Sequence, residues 1–314
     1  MRAGGLSASL SVDTGSRWQV RDFHRVVYSF GEFTPMEWTG DYPTGQAGTV
    51  SAAFRETVRA RVNYFRAMAG VPAEVQFLDD HNAAAQQAAF MMSANNTISH
   101  YPGTDWLWYT ATGAEAAARS NLAWNSSGPA AVDGYIGDFG ANNTAVGHRR
   151  WILFPQIDEM GTGDTPGDPG AALPPTNALW VIPETIAARP PTRESFVAWP
   201  PPGHVPATVV YARWSFSLPG ADFGQATVSM TSGGSPVPVA LEPVDSRLIG
   251  EPTLVWVPDN MPTDKRLHWP LPENDLTYNV SINNVLVDGA ARNFTYAVTV
   301  FDPSQAGPEE TPTR

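Results

Sequence analysis

The chain has 314 residues, a length sufficient for about two domains with substantial cores. Hydrophobic residues make up 42% of the chain and charged residues only 16%, a composition that excludes disorder along its whole length. The net charge of −12 predicts that nucleic acid is not a partner, and no apolar run of about 18 residues is present to predict a membrane span.

The chain contains no cysteine, which removes disulfides, thiolate nucleophiles and cysteine-ligated zinc. Any chemistry must therefore come from histidine, carboxylate or hydroxyl side chains. Residues 1–15 lack the apolar segment that is typical of a signal peptide. Two interpretations stay open: the chain is cytoplasmic, or the sequence begins after a cleaved leader.

Shifts in composition and period divide the chain into five regions. Residues 1–48 lack a clear period and predict an ordered N-terminal arm that packs its aromatic side chains on a neighbouring part of the chain. Residues 49–186 have helical periodicity and form the first domain. Proline is dense over 187–206, which predicts an extended linker. Residues 207–304 have strand-like alternation, and 305–314 form a polar tail that is predicted to be flexible.

Helical patterns recur four times in the first domain. The first pattern has apolar residues at spacings of 4, 4, 3 and 3, with Ser51 at its start and Gly70 as its stop. The later patterns are rich in alanine and have Asp79 and Asp80 as candidate N-caps or a proline near the first turn. The predicted helices cover 51–70, 81–94, 113–123 and 128–138.

Two short apolar runs bounded by Pro and Gly, at 151–153 and 178–182, predict central strands beneath these helices. The segment 161–175 between them is rich in Gly, Asp and Pro. It is predicted to be a surface loop in which Asp164 and Asp168 are solvated.

The second domain consists of short alternating segments separated by turn signals. This pattern predicts an all-β sandwich of immunoglobulin-like architecture. The predicted fold class is therefore α+β, with helices layered on a sheet in the first domain and a β-sandwich after it. The alternating segments lie at 214–218, 228–230, 237–241, 278–282 and 294–300.

Two of the six histidines lie where a predicted helix meets a loop, the usual position of site residues on a rigid scaffold. His100 follows the second helix, and His148 precedes the apolar run at 151–153. Glu115, Asn121 and Asp138 lie between them in the sequence. Two imidazoles with one or two carboxylates predict either a divalent-metal site or a general acid/base pair.

The order and spacing of six motifs resemble the CAP superfamily of cysteine-rich secretory, antigen 5 and pathogenesis-related proteins, in its bacterial form. The resemblance implies an α-β-α sandwich with a shallow cleft, where two histidines and two acidic side chains bind a divalent ion, often zinc. It also implies export from the cell. The motifs are Arg-Val-Asn-Tyr-Phe-Arg at 61–66, Ala-x-x-Ala-Ala spacing within 84–89, Ile-Ser-His at 98–100, Ser-Asn-Leu-Ala at 120–123, Ala-Val-Asp-Gly-Tyr-Ile at 131–136 and Gly-His-Arg-Arg-Trp-Ile-Leu at 147–153.

His100 and His148 match the two histidines of the family, and Asp138 matches the second acid, with a shorter reach than the usual glutamate. Ser120 occupies the position of the first acid. Glu115 could replace that acid only if its helix presented both positions on one side, and five residues turn a helix by about 140° off the original face. The departures imply an open, weakly held divalent cation rather than a structural zinc.

Three functions stay open at this point. In the first, a secreted protein binds a small molecule, lipid or ion in a cleft of His100, Ser120, Asn121 and His148, and its β-sandwich contacts a cell-wall glycan or other surface. In the second, a metal-assisted hydrolase uses His100, His148 and Asp138 for the cation and Glu115 as base. A nucleophilic Ser120 is a variant that lacks the usual strained elbow around the serine. In the third, the histidines are structural and the protein is an adhesion or envelope component. The oligomeric state is left open.

Overall fold

The computed structural model describes residues 9–244 and 250–307. It is an α+β protein, with a helical region around a small mixed sheet followed by an all-β region, and the predicted fold class is confirmed. The predicted tail lies mostly outside the described residues, from 308 onward. The helices are α1 Arg17–Phe23, continued by a π-helical turn His24–Tyr28, then α2 Ala52–Ala69, α3 Asp79–Ala94, α4 Ala111–Arg119, α5 Pro129–Gly137 and α6 Gly147–Ile152.

The strands fall into one sheet in the first half and two in the second. The first sheet has the order β1-β3-β4-β2, the second β10-β9-β13-β14-β6 with β8 paired to β13, and the third β11-β12-β7-β5. The strands are β1 Gln76–Phe77, β2 Ser120–Trp124, β3 Glu159–Thr165, β4 Thr176–Trp180, β5 Val197–Trp199, β6 Gly203–Pro206, β7 Trp214–Ser217, β8 Ala221–Asp222, β9 Thr227–Ser232, β10 Ser235–Val237, β11 Val239–Leu241, β12 Thr253–Pro258, β13 Leu276–Val287 and β14 Ala290–Phe301.

The longest helix, α2, has the start and stop that the sequence predicts. The Ser51 side chain accepts a hydrogen bond from the Phe54 amide, and Gly70 follows the helix in the left-handed region with φ of 74°. Val58, Val62 and the rest of the predicted stripe are buried against the neighbouring elements.

Helix α3 lies close against β3 because glycine occupies the contact. A Cβ atom at Gly163 would lie 2.1 Å from the backbone nitrogen of Gln86. The Gln86 side chain uses this close approach to bond the backbone of Asp164 at both its N–H and its carbonyl. The alanine-rich face of α3 thus serves tight helix-on-sheet packing.

Three secondary-structure predictions are wrong. The helix predicted at 113–123 ends at Arg119, and Ser120–Trp124 is strand β2, paired antiparallel with β4. The strand predicted at 151–153 lies largely in α6, and residues 161–165 of the predicted loop belong to buried strand β3. Short runs carry too little periodicity to separate helix from strand, and burial in a sheet overrides the turn preference of Gly and Asp.

The second and third sheets face each other across a core of large aromatic residues, and β13 with β14 forms its longest hairpin. This core continues into the helical region. Phe65 of α2 packs edge-on against Trp199 at 5.2 Å between ring centroids. Strands β5 and β6 belong to the two sandwich sheets, so the end of the predicted linker 187–206 is part of the sandwich.

Helix α1 fills the seam between the two parts. Phe23 stacks on Tyr64 of α2 at 5.2 Å, while the carbonyl of Thr14, just before the helix, accepts a hydrogen bond from the His204 amide of β6. Over residues 9–244 and 250–307, no helix is long and apolar enough to cross a membrane.

Candidate functional site

His100 and His148 line the same solvent-open cleft, whose volume is about 820 Å³ including its mouth. His100 lies in the loop after α3, and His148 is the second residue of α6. The floor comes from Ser120 and Asn121 at the start of β2, and the loop before α6 adds Asn142. Residues far apart in the sequence therefore meet at one end of the first sheet.

The Asp138 carboxylate holds His148 in a fixed orientation. Its Oδ1 lies 2.6 Å from His148 Nδ1, and its Oδ2 accepts the backbone N–H groups of His148 at 3.0 Å and Arg149 at 3.3 Å. Asp138 is fully buried and ends α5 in the left-handed region, with φ of 50°. This backbone turn directs the carboxylate toward the N-terminus of α6.

Two further contacts fix the ring and backbone of His148. Tyr135 stacks on the imidazole with 5.6 Å between ring centroids, and the Asn121 side chain donates a hydrogen bond to the His148 carbonyl at 3.1 Å. Burial disfavours the imidazolium, but the charge and hydrogen bond of Asp138 outweigh burial and raise the pKa of His148.

His100 is held by the main chain of α4. Its Nδ1 lies 2.9 Å from the carbonyl oxygen of Ala117. Because a carbonyl oxygen can only accept, Nδ1 carries the proton in the neutral ring and Nε2 has the free lone pair. The Asp138 contact imposes the same tautomer on a neutral His148. Both histidines thus present an unprotonated Nε2 when neutral.

Ser120 and Glu115, the two candidates for the missing acid, lie in different environments. Ser120 lines the cleft, is buried, and its Oγ has no hydrogen-bond partner among the described residues. Glu115 is outside the cleft lining. Its side chain is 59% exposed and its carboxylate lies 3.4 Å from Arg119 Nε. Since α4 ends at Arg119, no helical register connects Glu115 with Ser120.

The predicted metal set of His100, His148 and Asp138 does not come together as three ligands, because His100 and His148 line the cleft and Asp138 does not. Both carboxylate oxygens of Asp138 are engaged by His148 and the α6 backbone, so this acid lies behind the imidazole rather than beside it. Among the residues that the structure describes, no group of three or more His, Cys, Asp or Glu side chains could hold a metal ion. Any cation in the cleft would be bound by the two imidazoles and solvent.

The family comparison identifies the region that carries this cleft. A model of the cysteine-rich secretory protein family, CAP, matches residues 59–181. The chain contains a CAP domain. The matched range includes His100, His148, the cleft floor of Ser120 and Asn121, and Asp138 behind His148.

No curated protein matches the chain. Among the solved structures that match the chain, two examples align with about a third of it. PcoC from Escherichia coli, a methionine-rich copper resistance protein, has 16% identity and a TM-score of 0.24, with 33% of this chain and 92% of that chain covered. CopC from Methylosinus trichosporium OB3b has 20% identity and a TM-score of 0.23, with 33% and 89% covered. These TM-scores are too low to carry an argument about the CAP domain or its partner region.

Sequence reasoning missed one residue that supports the cleft from outside the CAP domain. Arg213, at the entry to β7, donates a hydrogen bond from Nη1 to the Asp138 carbonyl at 2.7 Å. Its Nε pairs with Glu242 at 2.8 Å. A separation of 75 residues leaves no local signal for such a contact. Asn142, in the 3₁₀ turn Ala141–Asn143, also lines the cleft, and the sequence analysis did not single it out.

Proposed function

We propose that the CAP-domain cleft binds a divalent cation, with zinc the best fit, through Nε2 of His100 and Nε2 of His148. The observation that carries the proposal is the environment of the two Nδ1 atoms. One bonds a carboxylate and the other a backbone carbonyl. Histidines that ligate metals commonly donate their second ring N–H to these same acceptors, because the bond fixes the tautomer and orients the ring.

The donor set supports an exchangeable cation with open coordination positions. Two imidazoles supply half of a tetrahedral shell, and water or a small ligand would complete it. Ser120 Oγ, buried at the cleft and without a partner in the described chain, and the Asn121 amide nearby are suited to hydrogen-bond that water or ligand. Asp138 acts as a positioning residue that holds His148 and raises its basicity.

Binding is favoured over the hydrolase alternative because the cleft lacks the base that hydrolysis was expected to use. A bound cation would supply Lewis acidity, and a carboxylate beside it would have to accept the proton of the attacking water. Glu115 lies on the exposed side of α4 instead. We therefore propose that the protein is a secreted CAP-domain binding protein, with the cation as part of its ligand site. Fractionation of cells of the source organism tests the export, and we expect the protein outside the cytoplasm.

Zinc titration of the metal-free protein tests the proposal. We expect one zinc per chain by isothermal titration calorimetry, and at least a tenfold weaker affinity in His100→Ala and in His148→Ala. The matched control is His268→Ala, an exposed histidine of the second region, which should bind zinc like the wild type. Equal zinc affinity in all four proteins would contradict the proposal.

The same proteins separate binding from hydrolysis. Zinc-loaded wild type is incubated with panels of peptide, ester and glycan substrates, and we expect no turnover above the His148→Ala background. Turnover that disappears with His148 would instead favour the metal-assisted hydrolase.

A further inference from the structure

The loop between α3 and α4 and the end of β2 together expose an unusual number of large apolar side chains. Tyr101 is 85% exposed, Trp124 47% and Trp108 37%, and Ile98 and Leu107 are also exposed. We call these five residues the aromatic strip. Exposed apolar surface of this size is costly in water and commonly marks an interaction site.

Two hydrogen bonds fix the strip along the edge of the CAP domain. Trp124 Nε1 donates to the Asn96 side chain at 3.3 Å, and His100 Nδ1 donates to the Ala117 carbonyl at 2.9 Å. Segment 96–100 therefore runs antiparallel to segment 117–124. Trp124 lies at one end of this pair and Tyr101 at the other, beside the cleft. Strand β2, Ser120–Trp124, by itself spans about 13 Å at 3.3 Å per residue.

The rest of the strip is held by the side chain of Asn95. Its Oδ1 accepts the Leu107 N–H and its Nδ2 donates to the Leu107 carbonyl, both at 3.0 Å. Trp108 has a positive φ of 59° and packs so closely on Gly45 that a Cβ there would lie 2.3 Å from its ring. A bulky residue in this conformation is strained, and such strain persists where the surroundings over-determine it. The surroundings thus hold the Trp108 ring in one position.

The charge around the aromatic strip limits the chemical class of its binding partner. Segment 95–110 contains one carboxylate, Asp105, and no Lys or Arg, in a protein of net charge −12. Anionic polymers and anionic membranes are therefore repelled. The neighbouring polar side chains are uncharged: Asn96 and Ser99 lie on this segment, and Asn142 lines the cleft beside Tyr101. Flat aromatic faces flanked by uncharged hydrogen-bonding groups fit the alternating C–H faces and hydroxyl edges of sugar rings.

We infer that the aromatic strip binds a neutral oligosaccharide, which runs from Trp124 to Tyr101 and ends at the cleft. This surface lies within the residues that match the CAP domain, and the binding of a sugar there requires no metal. The strip supplies stacking faces at both ends, and the cleft mouth adds amide groups for hydroxyls.

Tryptophan fluorescence titration in EDTA tests the inference with three probes: cellohexaose, chitohexaose and mannohexaose. We expect saturable binding of at least one probe, with affinity about tenfold weaker in Trp124→Ala and in Tyr101→Ala, the loss of one stacked ring each. The affinity of the variants is measured by isothermal titration calorimetry, because Trp124→Ala itself changes the tryptophan fluorescence. Phe33→Ala removes a 91% exposed ring elsewhere and should bind like the wild type.

Each other outcome overturns the inference. These outcomes are failure of all three probes to bind, binding that survives both strip substitutions, and strip-dependent binding of phosphatidylcholine vesicles in place of the sugars. Circular dichroism melting of each variant shows that it is folded. Because the titrations contain EDTA, loss of zinc binding in His148→Ala bears only on the cation proposal.

Discussion

Arg213 Nη1 donates to the Asp138 carbonyl at 2.7 Å, which ties the β-sandwich to the residue that holds His148. Arg213 is buried, and the same guanidinium pairs with Glu242 at 2.8 Å. The residue that orients His148 in the CAP cleft is therefore held by a guanidinium group of the second region. A second hydrogen bond also joins the two regions: Arg149 Nη1 donates to the Ser215 hydroxyl at 3.0 Å.

Arg213→Met should destabilise the protein and weaken zinc binding together. The substitution leaves the Glu242 carboxylate and the Asp138 carbonyl without their partner, which costs about 3 kcal/mol for a buried pair. Urea denaturation and zinc titration at pH 7 measure the two effects. Arg25→Met, which removes an exposed ion pair with Asp22, should change the free energy of unfolding by about 0.5 kcal/mol or less. Equal stability of the two variants would show that the Arg213 contact is dispensable.

Asp138→Asn should keep the fold and lower zinc affinity about 10- to 100-fold, the usual effect of losing a partner that orients a ligand. An asparagine amide has one acceptor oxygen, whereas Asp138 accepts from the imidazole and from two backbone N–H groups. If the asparagine oxygen accepts the backbone N–H groups, its NH₂ group faces Nδ1 of His148. Two donors cannot pair, so the imidazole must move its proton from Nδ1 to Nε2. Calorimetric titration measures the affinity. Asp105→Asn, at an exposed loop carboxylate, is the control, and wild-type affinity in Asp138→Asn would contradict the positioning role.

The sequence was most informative where local chemistry decides the structure. Ser51 and Gly70 mark the ends of α2 because capping depends on a side-chain oxygen and a positive φ at single positions. Residues 120–124 form a strand because β4 and β3 lie beside them, and that pairing is nonlocal. The order of the motifs placed His100 and His148 in one cleft. Nothing in the sequence pointed to Arg213, since a contact across 75 residues leaves no periodic or spacing signal.

Asp164 and Asp168 have the same side chain four residues apart, but their environments differ. Asp164 is fully buried and accepts from the Gly128 amide at 2.5 Å, the Asn177 amide at 2.8 Å and the Thr162 hydroxyl at 2.9 Å. Asp168 is exposed and caps only a short turn at Gly170. The prediction that both are solvated is wrong for Asp164, because β3 carries it beneath α5.

Asp164→Ala should lower the free energy of unfolding by about 3 kcal/mol, since it leaves three buried donors unpaired. Asp168→Ala should cost about 1 kcal/mol or less, the value of one exposed cap. Chemical denaturation of both variants at pH 7 gives the comparison. Similar costs for the two substitutions would mean that the buried network around Asp164 contributes little.

His24 makes the stability of the protein depend on pH in the acidic range. Burial lowers the pKa of His24 to about 4, with a smaller contribution from the Arg61 charge. The ring stacks on Tyr28 at 4.6 Å and its Nε2 lies 3.1 Å from the Thr208 hydroxyl. In the unfolded chain the ring takes up a proton near pH 6.5. Between these two pKa values the unfolded state binds more protons than the folded state, so stability falls as pH falls from 6.5 toward 4.

Replacing this histidine should flatten that part of the pH dependence. Between pH 7 and pH 4.5, His24 accounts for a loss of about 2 kcal/mol in the free energy of unfolding. His24→Gln should therefore be less stable than wild type at pH 7, where the packing with Tyr28 is lost, and should lose about 2 kcal/mol less on acidification. Urea titrations at both pH values measure this difference, with the exposed His268→Gln as the control that retains the wild-type slope. An unchanged slope in His24→Gln would show that His24 is not the group whose protonation opposes folding.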